Sequence, residues 1–482
     1  MKVNYVRANA VLGAVMLAFA SGCLVGPNYV RPPAPSTPAF KEASGDWKPA
    51  QPNDAVSRGK WWEIFGDPKL NALAEQVDLS NQNVQFAEAR LRQAEALVEQ
   101  SRSGLWPTLA LSGSATRSRA PNIAGSTSNT SAVVNVYNMP LTATWAPDLW
   151  GSVRRTIEGN LANAQTSAAN VANARLLAQS QLAINYFNLR VLDARKQLLD
   201  TTVGVYQKSL ELTRNRYNAG VAARVELVLA EQQLKSTQAQ SMDVGVQRAQ
   251  VEHAIAILIG KAPAELAIQS ETADLAIPAI PAIPLGLPSQ LLERRPDIAA
   301  AERQMAAANA QIGVAQAAYF PSLTLSASGG FRSNSVPDWL TIPHRFWSLG
   351  PTLAQTLFDG GARRAVSKQA QAAYDANVAT YRQTVLTAFQ QVEDNLAALR
   401  ILEQEAVTQA EAVQLARQST ELTLNQYKAG TVNYLSVVVV QAAQFNNEAA
   451  AVNLLGQRLV AAVTLVQALG GGWSTTKLSS VH

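Results

Sequence analysis

The sequence predicts an α+β membrane protein in which one chain carries the same structural unit twice. Three observations predict this class. Two helical patterns each continue for more than sixty residues, which no ordinary globular domain requires. Each of them follows two short segments of alternating polarity, a period typical of strands. The same order of patterns then returns about 210 residues later, and such a fixed repeat indicates a tandem duplication.

The composition of the 482-residue chain excludes several classes of protein. Apolar residues make up 48% and charged residues only 16%, while Ala, Gln, Asn and Ser fill the polar positions of the long patterns. Such surfaces suit helices that pack on other helices or line a watery space. The net charge of +5 includes no basic cluster beside stacking aromatics, so no nucleic acid partner is expected.

The N-terminus is typical of a bacterial lipoprotein signal peptide, residues 1–22. Two basic residues precede an apolar stretch, and small residues then lead to Cys23, the only cysteine. We expect Cys23 to be acylated, since stable anchoring requires more than one acyl chain. The alternative is an ordinary secretory signal cut nearby, because Ala20 stands where lipoproteins usually carry Leu.

A proline-rich segment, residues 23–66, follows and predicts an extended tether along a surface. The first structural repeat then covers residues 67–262 and begins with a helical pattern. Two strands are predicted over residues 107–119 and 131–147, with a turn-rich connection that indicates a hairpin. The two faces of this hairpin differ in polarity, as a sheet between lipid and water needs.

Two helices complete the first repeat. A long helix is predicted over residues 152–217 and a shorter one over residues 224–259, on either side of a turn that contains Gly220. At about 1.5 Å per residue, the long helix would extend for roughly 100 Å.

The second repeat, residues 296–470, follows the same order. A proline-rich linker over residues 263–295 precedes it, and a short tail, residues 471–482, ends the chain. Its predicted strands and helices cover residues 321–333, 345–358, 364–427 and 432–469.

One hairpin in each repeat gives four strands in each chain. A closed transmembrane barrel needs about eight strands, and lipid does not tolerate open sheet edges. Copies of the chain are therefore expected to assemble: two would give eight strands, and three would give twelve and could leave a lumen. No run of 18 or more apolar residues follows the signal, so a spanning helix is not expected.

Several motifs in this order resemble the outer membrane factor family, in particular the TolC/OprM-like lipoproteins of resistance-nodulation-division efflux systems. They are VGPNYVRPP, WWEIFGDPKL, LLERRPDIAAAE and the two turns NRYNAG and NQYKAG. The resemblance implies a homotrimer with a 12-stranded transmembrane β-barrel, a periplasmic α-helical barrel and a smaller equatorial region. It also implies a periplasmic adaptor (membrane fusion) protein and an inner membrane pump as partners.

The function that this resemblance implies is a lipid-anchored duct in the bacterial outer membrane, through which the pump expels drugs or other small amphiphilic compounds. Two alternatives remain: a component of type I protein secretion, and a trimeric helical surface adhesin, which should lack two internal hairpins. No hydrolase, zinc or phosphate-loop motif accompanies the three histidines, so no enzyme activity, cofactor or metal site is expected.

Two similar turns lie farthest from the predicted barrel. Gly220 and Gly430 would adopt the left-handed conformation that ends a helix, and the resemblance adds contact with the adaptor. Tyr217 and Tyr427 would hold neighbouring helices there or serve only for packing.

The predicted periplasmic gate lies just past the second turn. Many efflux relatives carry Asp where this sequence has Val439, and Leu435 is four residues earlier on the same helix face. Three copies of each would form an apolar constriction that closes by dewetting. The alternative is that helix packing buries both. Glu226, the nearest acid in the first repeat, and Tyr427 are assigned to the gate as well.

Five aromatic residues are predicted at strand ends. They would lie at the lipid interface or pack in the junction between barrel and helical tube. These residues are Trp106, Trp145, Trp150, Phe320 and Phe358.

Overall fold

The computed structural model describes residues 24–35, 37, 39–42, 60–119, 133–270, 294–473 and 475. The predicted signal peptide, Cys23, most of the linker and most of the tail lie outside these described residues. Within them the chain forms one antiparallel sheet and a set of long helices.

Seven α-helices are present in the described residues. They are α1 (Pro68–Ser80), α2 (Gln82–Ser103), α3 (Ser152–Asn218), α4 (Arg224–Leu258), α5 (Pro296–Ala317), α6 (Ala362–Lys428) and α7 (Tyr434–Ala468). Both α3 and α6 contain 67 residues, and both α4 and α7 contain 35. A helix of 67 residues extends for about 100 Å. The two helix pairs therefore reach equally far from the sheet.

Local sequence explains where these helices begin. The side chain of Asp67 caps α1 by accepting from the backbone of Lys69 and Leu70. Asn81 caps α2 in the same way. The two long helices instead begin directly after glycines with positive φ, Gly151 (79°) and Gly361 (94°). Glycine adopts this conformation at low cost and lets the chain turn sharply out of the sheet.

The helices lie side by side with open edges. Near the sheet, α2 packs on α3, α3 on α5 and α5 on α6; farther away, α4 packs on α3, α3 on α7 and α7 on α6. The outer helices α2, α4 and α6 carry exposed apolar side chains, among them Phe86, Met242, Leu386, Leu415 and Leu422. Within the described residues, a single chain thus forms an arc of helices whose edge faces leave apolar side chains exposed.

Helix α7 is more apolar than the sequence analysis predicted. By length and composition alone α7 could cross a membrane, although no run of 18 apolar residues indicated such a segment. A core helix passes the same test, and 44% of its most apolar stretch is buried within the chain.

Five strands form a single sheet in the described residues. They are β1 (Thr108–Leu111), β2 (Ser114–Arg119), β3 (Val133–Trp145), β4 (Ser322–Ser333) and β5 (Arg345–Ala354). The order is β1–β3–β4–β5, and β2 continues β1 along β3. The outer edges of β1, β2 and β5 have no partner strand among the described residues.

The first strand differs from the prediction of one strand over residues 107–119. It is interrupted after Leu111, although Leu111 opposite Leu141 and Ser114 opposite Asn138 keep one register. The cause is Pro140, which accepts a hydrogen bond from the backbone nitrogen of Ser112 but has no N–H to return one.

The two faces of the sheet differ in chemistry. One face carries Leu111, Leu141, Gly329 and Trp347 in one cross-strand row, and Leu109, Ala143, Ala327 and Leu349 in the next. The other face carries rows of hydroxyl side chains, such as Thr108, Thr144 and Ser326. This alternation is the pattern of a sheet with lipid on one side and water on the other.

Candidate functional site

The two turns at the distal end of the helices share one backbone conformation. Gly220 has φ 73° and Gly430 has φ 79°, both in the left-handed region. The backbone nitrogen of Gly220 donates to Tyr217 over 2.9 Å, and that of Gly430 donates to Tyr427 over 3.0 Å. Both glycines therefore end their long helices in the same way.

The two tyrosines of these turns differ in their surroundings. Tyr427 is only 1% exposed, whereas Tyr217 is 38% exposed. The ring of Tyr427 packs edge-on against Tyr434, with centroids 5.5 Å apart, and both contact a cluster that includes Ala230 and Val437. Tyr427 therefore holds neighbouring helices of one chain together, whereas Tyr217 is partly open to solvent.

A polar link joins the two helix pairs at this end. The Tyr427 hydroxyl donates to Glu226 Oε2 over 3.3 Å and lies 3.4 Å from the hydroxyl of Thr213. Arg216 donates to the Tyr427 carbonyl oxygen over 2.7 Å, and its guanidinium lies 4.6 Å from the Tyr427 ring centroid. Burial raises the pKa of Tyr427 and of Tyr434, so both phenols remain protonated donors.

The functional residues predicted from the sequence did not include Arg216. The two turn motifs, NRYNAG and NQYKAG, place Arg216 opposite Gln426. This difference between the two motifs could have identified Arg216, because only the arginine can donate several hydrogen bonds and cover an aromatic face at once.

Two of the four residues assigned to the gate, Leu435 and Val439, lie on an open face of α7. Leu435 is 53% exposed and Val439 is 60% exposed, while Tyr434 and Val437 on the same helix are buried. Within one chain, helix packing therefore does not bury Leu435 and Val439. Glu226 instead contributes to the link with Tyr427.

A second site binds the N-terminal segment. We call the described residues from 24 to 42 the strap. The strap nitrogen of Val25 donates to the Trp150 carbonyl over 3.2 Å, and the Tyr29 hydroxyl donates to Glu302 over 2.7 Å. Farther along, Arg31 binds the Tyr381 hydroxyl. The strap thus crosses from the sheet end down α5 and α6.

Arg155 fixes the beginning of the strap. Its guanidinium donates to the carbonyl oxygens of Val25 (3.1 Å) and Gly26 (3.0 Å) and to Asn28 Oδ1 (3.0 Å), and pairs with Glu158 at 2.7 Å. Although charged, Arg155 is only 1% exposed. A buried charge is tolerated where hydrogen bonds satisfy it, and here the strap supplies most of them.

The five aromatic residues at the strand ends have three kinds of surroundings. Trp150 stacks on Phe320 with centroids 4.7 Å apart and donates from Nε1 to the Pro321 carbonyl over 2.6 Å, so this pair packs in the junction. Trp145 donates to the Leu105 carbonyl over 3.0 Å. The other two, Trp106 (73% exposed) and Phe358 (89% exposed), face outward, with Phe358 beyond the end of β5.

Known proteins share this sequence and fold. A family model described as outer membrane efflux protein matches residues 73–261 and 287–471. The pyoverdine export outer membrane protein OpmQ of Pseudomonas aeruginosa is 31% identical over 469 residues, covering 96% of this chain and 98% of OpmQ. The solvent efflux pump outer membrane protein SrpC of Pseudomonas putida is 30% identical over 465 residues, with 96% and 98% covered.

Among solved structures, the outer-membrane channel OprN superposes with a TM-score of 0.85 at 29% identity, covering 94% of this chain and 100% of the OprN chain. The matched family residues include both long helices, their turns and all five strands. The chain therefore belongs to the outer membrane efflux protein family and is the outer membrane channel protein of an efflux pump.

Proposed function

We propose that three copies of this chain form a continuous exit duct. The main support for this proposal is a sheet that is four strands wide, with one apolar face and two unpaired edges. Helices of about 100 Å project from this sheet. Three such sheets joined edge to edge give twelve strands, which leaves an open lumen lined by the hydroxyl face. The exposed apolar edges of α2, α4 and α6 would be buried between copies.

The duct would conduct drugs or other small amphiphilic compounds. Relatives are named for export of toluene, other solvents, antibiotics and pyoverdine. The Ser and Thr rows of the sheet offer a neutral, hydrated wall that excludes none of these chemical classes. We assign the energy source to an inner membrane pump of the resistance-nodulation-division type, joined through a periplasmic adaptor that contacts the two distal turns.

Lipid attachment would complete the outer membrane anchoring. The strap places Leu24 beside the junction of sheet and helices, where Leu24 touches Gly151. Acyl chains on the neighbouring Cys23 would then enter the bilayer at the level of Trp150 and Phe320. The proposal for Cys23 itself rests on the sequence, because this residue lies outside the described part of the chain.

The test of the duct is electrical and is combined with a growth assay. Purified protein should run as a trimer and give discrete single-channel currents in a planar bilayer. A deletion strain should become sensitive to several amphiphilic drugs and recover on complementation. A trimer that never conducts in any state would overturn the duct and favour a structural role.

The distal gate would consist of two parts. The link around Tyr427 and Arg216 holds the two helix pairs of each chain together, and the exposed Leu435 and Val439 of three chains would close the lumen. Opening would require the helix pairs to separate, which breaks that link.

Arg216→Ala is expected to favour the open gate. The change removes a hydrogen bond from a charged donor and a cation–π contact, together about 2 kcal/mol. The open population should therefore rise roughly thirtyfold, measured as open probability in single-channel records. The matched control is Arg214→Ala, which removes only an exposed ion pair with Glu231. Equal open probability in both variants would refute the link.

A further inference from the structure

Three arginines lie on the apolar face of the sheet. Side chains alternate between the two faces of a strand, so residues joined by the pairing register share a face. Arg345 stands opposite Phe331, which stands opposite Met139, on the face that carries Trp347 and Leu349. On β2, Arg117 and Arg119 are an even number of residues from Leu109 and Leu111 in an unchanged register, so they share the face of those leucines. Lipid would surround this face.

These arginines lie at the end of the apolar face that is remote from the helices. The ring of Tyr137 contacts Trp339 with centroids 5.7 Å apart, and Tyr137 is eight residues from Trp145 along β3. Eight residues extend for about 27 Å along the strand, or roughly 20 Å of height at a tilt of about 40°, which is most of the apolar band of about 25 Å in a transmembrane barrel. Arg117 pairs with Asn135, beyond Tyr137, and so lies at the outer rim of the band. Arg345 begins β5 and shares the row of Met139, which is the next row of this face on the helix side of Tyr137.

The charge of this rim is one-sided. Residues 107–147 contain Arg117 and Arg119 but no Lys, Asp or Glu, and residues 321–358 contain two arginines and a single acid, Asp338. Within the described part of the chain, neither Arg117 nor Arg345 has a carboxylate partner. A guanidinium on the lipid-facing side is costly unless an anion accompanies it.

We propose that Arg117, Arg119 and Arg345 bind the phosphate groups of phosphorylated lipid in the outer leaflet, with its acyl chains on the apolar face directly below. The guanidinium fork binds phosphate oxygens in pairs, and three positions on one face suit a lipid with more than one phosphate. This inference rests on the proposed barrel, since only a closed barrel turns this face to lipid. It adds a lipid partner that stabilises the trimer from outside.

The test compares two sets of arginine substitutions at the same rim. In the triple variant Arg117→Gln, Arg119→Gln and Arg345→Gln are combined. The control is Arg332→Gln, because Arg332 pairs with Asn138 and points to the opposite, hydroxyl face. Thermal unfolding of the detergent-solubilised trimer is followed while diphosphoryl lipid A, monophosphoryl lipid A or inorganic phosphate is titrated.

Diphosphoryl lipid A is expected to raise the Tm of the wild type and of Arg332→Gln at the same concentration. The triple variant should need at least ten times more, and monophosphoryl lipid A should act more weakly on the wild type. An unchanged response of the triple variant, or an equal effect of inorganic phosphate, would overturn the lipid site. Single-channel recording of the same samples separates this outcome from failure of the barrel, because a trimer that conducts normally has its barrel intact.

Discussion

Replacing Arg155 by Ala is expected to release the strap and to destabilise the protein by about 3 kcal/mol or more. The buried guanidinium satisfies the carbonyl oxygens of Val25 and Gly26 and the side chain of Asn28, and an alanine side chain offers no donor in its place. Two of the expected effects can be measured. Tm should fall, and a protease should cut within the strap while the helical circular dichroism signal remains.

A substitution within the strap should also release it and lower the Tm. Gly26 has φ 97°, and a Cβ atom there would lie 2.5 Å from the Cα atom of Gly313. Gly26→Ala therefore prevents docking while leaving Arg155 in place. Lys196→Ala is the control on the same helix, since it removes a partly exposed pair with Asp200 and a hydrogen bond to Ser241 but touches no strap residue. Resistance of both strap variants to protease at the wild-type level would show that the strap does not depend on this contact.

Replacing Val439 by Asp is expected to convert an apolar constriction into an acidic ring. Three carboxylates at one level attract cations and water, so the barrier that dewetting imposes should fall. We expect closed-state conductance to rise about tenfold, equivalent to about 1.4 kcal/mol of permeation barrier, with a stronger preference for cations. The measurement is single-channel conductance and reversal potential in asymmetric salt.

A second acidic substitution at the same end of the protein controls for charge alone. Val221 is 67% exposed in the first turn and does not lie on α7, so Val221→Asp adds the same three charges away from the proposed constriction. Unchanged conductance and cation preference in Val439→Asp, or an equal change in Val221→Asp, would refute the apolar gate.

Helical periodicity predicted the helices well, because it is a local property of the sequence. The predicted long helix over residues 152–217 is Ser152–Asn218, and the one over residues 364–427 is Ala362–Lys428. Strand ends were harder to place: β5 ends at Ala354, whereas the prediction extended to residue 358. The segment after Ala354 alternates less clearly, and turn chemistry at Asp359 and Gly360 decides where the chain leaves the sheet.

The sites were predicted less completely, for a physical reason. Tyr217 and Tyr427 stand in nearly the same local motif, yet only tertiary packing decides that one is exposed and the other buried. Arg155 binds backbone carbonyls about 130 positions away, and a carbonyl carries no side-chain signal in the sequence. Leu435 and Val439 are exposed in a single chain, so their proposed role depends on contacts between chains, which one sequence does not specify.

The proline within β3 has a consequence for how the two hairpins pair. Pro140 stands opposite Gly330, where a Cβ atom would lie 2.1 Å from the Met139 carbonyl oxygen. A slip of β4 by two residues would place Ser328 or Arg332 against that carbonyl and cause a steric clash. The pair therefore disfavours a two-residue slip between β3 and β4 and helps to fix the register between the two hairpins.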